Sequence, residues 1–193
     1  MLKFGDPCYV NVVDLGNTYW GMGRTQIKEY MGRFRNGYDP DQMRFFGIDR
    51  RGQCCKNKDI VQLDCDFADG LERFGEGSIS VLVSDMAFGH YAPYFFEAID
   101  FARFKHRFGE EGFHKYQKRV LEIAREKIRP GGVVSFSAVE SVVDSVIVPA
   151  LDQTGFANIR AREFKPEEYD RTLSTEYALE QRIKVVQIGA VNP

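Results

Sequence analysis

Four apolar segments in the first half of the chain each end in a carboxylate, and this repeated ending constrains the fold more than any other feature. The segments and their acidic ends are 10–16 with Asp14 and Gly16, 45–49 with Asp49, 60–66 with Asp64 and Asp66, and 79–85 with Asp85. A single aspartate after a strand is common because its side chain forms turns and caps helices. Four such endings at α/β spacing predict a parallel sheet whose C-terminal edge carries a polar site.

Hydrophobic periodicity extends this prediction to the rest of the chain. The predicted strands are 9–15, 43–49, 60–65, 78–84, 133–139, 157–164 and 183–191, and the predicted helices include 24–34, 113–128 and 141–153. We expect Pro130 to end the second helix and Pro149 to bend the third. A polar loop, not a helix, separates the last two strands, so they should pair antiparallel. The predicted fold class is α/β, with a seven-stranded, doubly wound, mostly parallel sheet and an antiparallel last strand.

Length and composition are those of an ordinary globular protein. The 193 residues suit one domain, 1–193, with 44% hydrophobic and 28% charged residues. No apolar run approaches the ~20 residues that span a bilayer, and the N-terminal residues lack the apolar stretch of a signal peptide. We therefore expect a cytoplasmic protein without membrane association. The spacing of the four cysteines favours reduced thiols over a metal site or a disulfide framework.

Charge is uneven along the chain although the formal net charge is only −2. Residues 102–129 hold nine lysines or arginines and four glutamates, a local excess of 9 − 4 = +5. Such a run is typical of a solvated helix face. The alternative is a surface that contacts the phosphates of RNA or DNA.

The order of the elements resembles class I S-adenosylmethionine-dependent methyltransferases over essentially the whole chain. The matching segments are residues 12–16 (the glycine-rich first motif), 48–49 (the acidic end of strand two), 64–67 (the adenine-side motif), 84–88 (the catalytic motif) and 128–134 (the Pro-Gly-Gly turn into strand five). The resemblance implies a Rossmann-like fold, S-adenosylmethionine as cofactor and methyl transfer as activity.

The resemblance also implies which residues bind the cofactor: Asp14, Gly16, Asp49, Asp66 and Phe67. A glycine turn allows the backbone to approach the amino acid end of the cofactor, and Asp49 can accept hydrogen bonds from the ribose hydroxyls. Asp66 is preferred to Asp64 as the acceptor for the adenine amine, with helix capping as its alternative role. Acidic residues also suit the positive charge of the sulfonium.

The segment after strand four is where the resemblance implies the catalytic residues Asp85, Phe88 and His90. Methyltransferases that act on amino groups of nucleic-acid bases or glutamine carry Asp/Asn-Pro-Pro-Tyr/Phe there, and this chain keeps the acidic and aromatic ends but lacks both prolines. Asp85 would hold the target nitrogen, and Phe88 would stack on the plane of the acceptor. His90 is a candidate general base, or a structural loop residue.

Two departures keep other functions open. Gly16 is followed by Gly21 and Gly23, so the first motif is stretched. Together with the missing prolines, this spacing is compatible with a catalytically silent methyltransferase-like module that binds a partner or nucleic acid. A nicotinamide-dependent oxidoreductase is less well supported, because it needs Gly-x-Gly-x-x-Gly directly after strand one. The sequence does not specify the methyl acceptor or the oligomeric state.

Overall fold

The computed structural model describes residues 4–16, 42–49, 60–85, 88, 112–163 and 184–193. Its strands are β1 (Val10–Leu15), β2 (Met43–Asp49), β3 (Ile60–Asp64), β4 (Ile79–Asp85), β5 (Ile128–Val139), β6 (Ala157–Glu163) and β7 (Val185–Val191). Its helices are α1 (Phe67–Glu72), α2 (Gly112–Lys127), α3 (Glu140–Val142), a π-helical turn (Val143–Ile147) and α4 (Val148–Gln153). The helix predicted at 24–34 lies outside these residues, and no described helix is long and apolar enough to cross a membrane.

The described strands form one seven-stranded sheet in the order β3-β2-β1-β4-β5-β7-β6. Pairings among β1 to β5 are parallel, whereas β7 runs antiparallel to both β5 and β6. The chain winds outward from β1 in one direction to β3 and then in the other to β5, which makes the sheet doubly wound. The predicted fold class is confirmed, and the predicted bounds of β2 match those observed.

The sheet buries different side chains on its two faces because residues alternate along each strand. The face against which α1, α2 and the α3–α4 segment pack is called the first face. Its buried side chains are Val13, Leu15, Phe46, Ile48, Leu82, Val134, Phe136 and Ile188. The second face carries a smaller apolar cluster on β1 to β4, formed by Val10, Val12, Met43, Ile60, Val81 and Val83. Asp14 and Asp49 share the alternation of this second face.

Strand β5 starts earlier than predicted. The sequence predicts residue 133 as its first, but the strand begins at Ile128, immediately after α2 ends at Lys127. Ile128 pairs with Ile79, and regular pairing resumes only at residue 133 after a shift in register. Pro130, which has no N–H to donate, lies in this irregular stretch, where the ladder does not require one.

Asn192 holds this irregular stretch in place. Its backbone N–H donates to the carbonyl of Gly132 and its carbonyl accepts from Gly131, both at 2.8 Å. Its side-chain amide donates to the carbonyls of Arg125 at 3.1 Å and Ile128 at 2.7 Å. The buried asparagine thereby satisfies one carbonyl in the last turn of α2 and one at the first residue of β5.

The helix predicted at 141–153 is interrupted by a widened turn. The N–H of Val148 donates to the carbonyl of Val143, five residues earlier. Pro149 then lies in the first turn of α4, where its missing N–H breaks no helical hydrogen bond. The bend expected at the proline is therefore a π-helical turn just before it, and Val146, Ala150 and Leu151 are buried in the core.

Candidate cofactor-binding edge

In-register pairing brings one row of residues together at the carboxyl ends of the parallel strands. Asp49 faces Asp64 across β2 and β3, and Asp85 faces Ser137 across β4 and β5. Gly16 directly follows β1 and lies between these two pairs, because β1 is in register with both β2 and β4. The sheet thus gathers at one level most of the carboxylates that the sequence analysis singled out.

The same row continues across the antiparallel strands with a change of charge. Ser137 faces Gln187 on β7, and Gln187 faces Arg162 on β6. From β3 to β6 the row therefore passes from carboxylates, through uncharged polar side chains, to a guanidinium.

Gly16 has the backbone geometry that a close-approach turn requires. Its φ is +105°, a conformation that strains any residue with a Cβ. Its N–H donates to the carbonyl of Ile48 at 2.9 Å, which ties the turn to β2. Asp14, two residues earlier on the same face, is fully buried and pairs in register with Gly47.

Asp49 and Asp64 form a carboxylate pair at the tips of neighbouring strands. Directly paired strands lie about 4.8 Å apart, so the two residues are neighbours at this end of the sheet. Asp49 is half-buried and Asp64 is exposed. Carboxylate oxygens at these tips can accept hydrogen bonds from the hydroxyl groups of a ligand.

Asp66 caps α1, the alternative role that the sequence analysis gave it. Its Oδ1 accepts from the N–H of Asp69 at 2.9 Å, and the hydroxyl of Tyr116 donates to the same oxygen at 3.4 Å. The side chain is buried, and the half-buried Phe67 that follows packs against the core of the first face. Asp66 therefore has a structural role, and its contact with adenine stays a prediction.

Cys65 lies between the acidic residues at this end of β3. Burial raises the pKa of its thiol, and the nearby carboxylates of Asp66, Asp69 and Asp64 raise it further, against an opposing effect of Arg73. The thiol therefore stays protonated at neutral pH and is a poor nucleophile. Cys65 and Cys8 are both free, as the reduced thiols predicted from their spacing would be.

Ser84 links the predicted catalytic segment to the cofactor-side strand, and the sequence analysis gave it no role. Its hydroxyl donates to the carbonyl of Leu15 at 2.7 Å and accepts from the N–H of Phe88 at 2.8 Å. The only signal available in the sequence was a serine placed immediately before Asp85, where side-chain hydroxyls often bond to nearby backbone groups. Ser84 fixes where the chain leaves β4 relative to Gly16.

Phe88 lies inside the core. Its side chain is 0% exposed, and its ring lies 4.7 Å from that of Phe136, at 33°. This position supports an anchoring role for Phe88 beside Ser84. Stacking on a methyl acceptor stays a prediction that would require the ring to leave the core. His90 lies outside the described residues.

Known proteins resemble this chain in structure but not closely in sequence. No protein-family model matches the chain, and no curated protein matches its sequence. An antibiotic-related methyltransferase aligns with a TM-score of 0.57 at 9% identity, over 95% of this chain and 89% of the other. The rRNA (adenine(1408)-N(1))-methyltransferase of Catenulisporales acidiphilia aligns with a TM-score of 0.51 at 14% identity, over 99% and 95%.

Phosphoethanolamine N-methyltransferase 2 of Haemonchus contortus, in complex with S-adenosyl-L-methionine, aligns with a TM-score of 0.54 at 14% identity. The alignment covers 96% of this chain but 49% of that enzyme, so the chain spans about half of its length. The chain has the class I methyltransferase fold. At these identities the comparisons establish the architecture of the sheet and leave the chemistry of the site to its own residues.

In this methyltransferase fold, α2 carries residues 112–127 of the basic stretch 102–129, and several of its charges are already paired. Arg119 contacts Glu72 at 3.3 Å and Lys118 lies 3.9 Å from Glu122. Arg125 donates to the carbonyl of Thr154 at 2.6 Å. These pairs fit the solvated-face interpretation of α2, whereas residues 102–111 lie outside the described part of the chain.

The structure predicts opposite effects for two buried serines on the same face of β4. Ser84 is 2% exposed with two hydrogen bonds, whereas Ser80 is 3% exposed and its hydroxyl has no partner among the described residues. Ser84→Ala should lower the free energy of unfolding by about 1–3 kcal/mol, because a buried backbone donor loses its acceptor.

Ser80→Ala is the matched control. It should leave stability unchanged or raise it, because it removes a buried polar atom without a partner. Urea unfolding of the two variants and the parent protein measures both effects. Equal stability losses in the two variants would contradict the assignment of Ser84 as the link between β4 and β1.

Proposed function

We propose that the chain binds S-adenosylmethionine at the acidic half of this edge and transfers its methyl group to a nitrogen of a nucleic-acid base. The observation that carries the proposal is the position of Gly16, in a left-handed turn between Asp49 and Asp85 at the centre of a methyltransferase-fold sheet. Solved structures of this fold support it, since the Haemonchus enzyme is in complex with the same cofactor.

The residues at the ends of β1 to β3 would each meet one part of the cofactor. Gly16 allows the backbone to approach the amino acid end without a Cβ in the way. Asp49 would accept hydrogen bonds from the ribose hydroxyls, and Asp14 would contribute negative charge beside the sulfonium. Asp66 and Phe67 would form the adenine side, where Asp66 is already held by α1 and Tyr116.

The acceptor nitrogen would be held by the residues at the end of β4. S-adenosylmethionine, when bound, supplies an activated methyl group, so the protein has mainly to position the acceptor in line with it. Asp85 would accept a hydrogen bond from the acceptor amine and so orient its lone pair. Ser84 and Phe88 would fix the path of the loop, and His90 is the further candidate for accepting a proton. The rRNA adenine methyltransferase of this fold supports a base as the acceptor.

A catalytically silent binding module is the second candidate. The observation that favours it is the burial of Phe88, because the aromatic side chain that should stack on the acceptor lies against Phe136. Such a module could still bind the cofactor and a nucleic acid. Only turnover separates this candidate from the enzyme.

Cofactor binding is tested by replacing Asp49, whose loss removes a charge-assisted hydrogen-bonding partner of the ribose. Asp49→Ala should weaken S-adenosylmethionine binding by about 1.5–3 kcal/mol, roughly 10- to 150-fold in Kd. Isothermal titration calorimetry measures the change. Asp152→Ala, at an exposed position of α4, is the control and should bind like the parent protein. A folded Asp49→Ala variant with parental affinity would exclude Asp49 from the site.

Methyl transfer is tested at Asp85. With radiolabelled cofactor and an acceptor found by screening RNA, DNA and protein, Asp85→Ala should lower kcat by about 100-fold or more. Cofactor affinity should stay within about threefold, because the carboxylate positions the acceptor. Joint loss of cofactor binding and turnover would make Asp85 a cofactor ligand. Full activity of the variant would overturn the catalytic role.

A further inference from the structure

Ser137 is a buried polar residue at the carboxyl edge of the sheet, and the proposed cofactor contacts do not use it. The residue is 9% exposed, and its hydroxyl forms no hydrogen bond with another described residue. Its register partner on β4 is Asp85, the last residue of that strand. A buried hydroxyl without a partner is unfavourable, and a ligand bound beside it can remove that cost.

Gln187, the polar neighbour of Ser137 on β7, has its amide engaged elsewhere. The two residues are register partners across β5 and β7. Nε2 of Gln187 donates to Oγ of Ser135 at 2.9 Å, and Oε1 accepts from the Nε–H of Arg162 at 2.9 Å. These two bonds orient the amide of Gln187 towards Ser135 and Arg162, and so away from the Ser137 hydroxyl.

Apolar residues follow Ser137 on the same face of the sheet. Val139 and Val185 pair with each other two positions beyond the pair of Ser137 and Gln187, and Val185 is 0% exposed. Strand β4 ends at Asp85, whereas β5 continues to Val139, so β5 and β7 extend past this end of β4. The Ser137 hydroxyl therefore has an acidic residue on one side and apolar side chains beyond it. These surroundings suit the flat, uncharged ring of a base.

We propose that the Ser137 hydroxyl donates a hydrogen bond to a ring nitrogen of the acceptor base, next to the amine that Asp85 would hold. This inference rests on the proposed function and assigns a further acceptor-binding residue to the same site. Paired strands lie about 4.8 Å apart, so neighbouring residues at one strand end can contact adjacent groups on the edge of one base.

This pairing favours a base whose amine adjoins a ring nitrogen with a lone pair. A carboxylate only accepts hydrogen bonds, so Asp85 would bind the amine, whereas a serine hydroxyl both donates and accepts. Donation to a lone pair satisfies the hydrogen of the Ser137 hydroxyl, which has no acceptor among the described residues. Adenine and cytosine present this pattern on their pairing edges. Guanine has an N–H beside its amine there, which would leave the serine hydrogen unpaired, and uracil and thymine have no amine.

Methyl transfer leaves the hydrogen bond of Ser137 in place. The amine nitrogen forms its bond to the methyl carbon as the bond between that carbon and the sulfonium sulfur breaks, and the amine then releases one proton to water. The ring nitrogen keeps its lone pair and its bond to the hydroxyl throughout. Ser137 therefore acts by fixing the plane of the base, so that the amine nitrogen is in line with the methyl group.

The test compares two buried serines whose hydroxyls both lack a partner among the described residues. Ser137→Ala removes the hydroxyl at the carboxyl edge, and Ser80→Ala, the matched control, removes one near the amino ends of the strands. Each protein receives radiolabelled S-adenosylmethionine and single-stranded RNA or DNA oligonucleotides of mixed sequence. Mass spectrometry of the digested product identifies the methylated nucleoside. Calorimetry measures affinity for S-adenosylhomocysteine, and urea unfolding measures stability.

The parent protein should methylate adenine or cytosine. Ser137→Ala should lower kcat/KM for the oligonucleotide about 5- to 10-fold, the net effect of one hydrogen bond. Its stability and its affinity for S-adenosylhomocysteine should match those of the parent, because no hydrogen bond within the described protein is lost. Ser137→Thr, which keeps a hydroxyl, should have an activity close to that of the parent, and Ser80→Ala should have the parental activity.

A base analogue tests the same hydrogen bond from the side of the acceptor. An analogue of the methylated base that carries a C–H group in place of the ring nitrogen should lower kcat/KM of the parent by the same factor. Ser137→Ala should act equally on the natural base and on the analogue, because its hydrogen bond is already absent. A purely structural role of Ser137 would not produce this difference.

Equal activity of Ser137→Ala and the parent would overturn the inference and leave the proposed methyl transfer standing. The same conclusion would follow from methylation of guanine, uracil or thymine alone, or from a parent protein that does not distinguish the analogue from the natural base. A parent protein that binds S-adenosylhomocysteine but methylates no oligonucleotide would instead refute the nucleic-acid acceptor of the proposed function, and the role of Ser137 would fall with it.

Discussion

The register of β1 against its two neighbours is the constraint on which the candidate site depends. Side chains alternate along a strand, so a slip of one residue would move Asp14 to the first face and Leu15 to the second. Parallel pairing with β2 and β4 prevents this slip and aligns Gly16 with Asp49 and Asp85. The hydroxyl of Ser84 adds a side-chain bond between β4 and the last residue of β1.

The alignment also separates charges along the edge of the sheet. The strands that wind in one direction from β1 end in carboxylates, which favour a cationic cofactor, whereas the antiparallel strands present Gln187 and Arg162. Under the proposed function, this separation keeps the cationic cofactor of the acidic half away from the guanidinium of Arg162.

Much of this arrangement follows from local sequence signals. The polar edge was predicted from aspartates that directly follow apolar segments. This prediction needed only local sequence, because open α/β sheets bind their ligands at the carboxyl ends of the parallel strands. The hydrogen bond between Tyr116 and Asp66, the burial of Phe88 and the early start of β5 were harder to predict. Each depends on a partner distant in sequence, namely Tyr116, Phe136 and Asn192. Such contacts are set by packing, which a periodic pattern does not specify.

Nuclear magnetic resonance gives the most direct test of the central claim, that the acidic half of the edge binds the cofactor. Titrating the isotopically labelled protein with S-adenosylhomocysteine should shift the amide resonances of Gly16, Asp49 and Phe67 most strongly. The amide resonances at the amino ends of the parallel strands, such as those of Asn11 and Ser80, should keep their chemical shifts. Chemical-shift changes concentrated at the amino ends of the strands, or no changes at saturating ligand, would contradict the account.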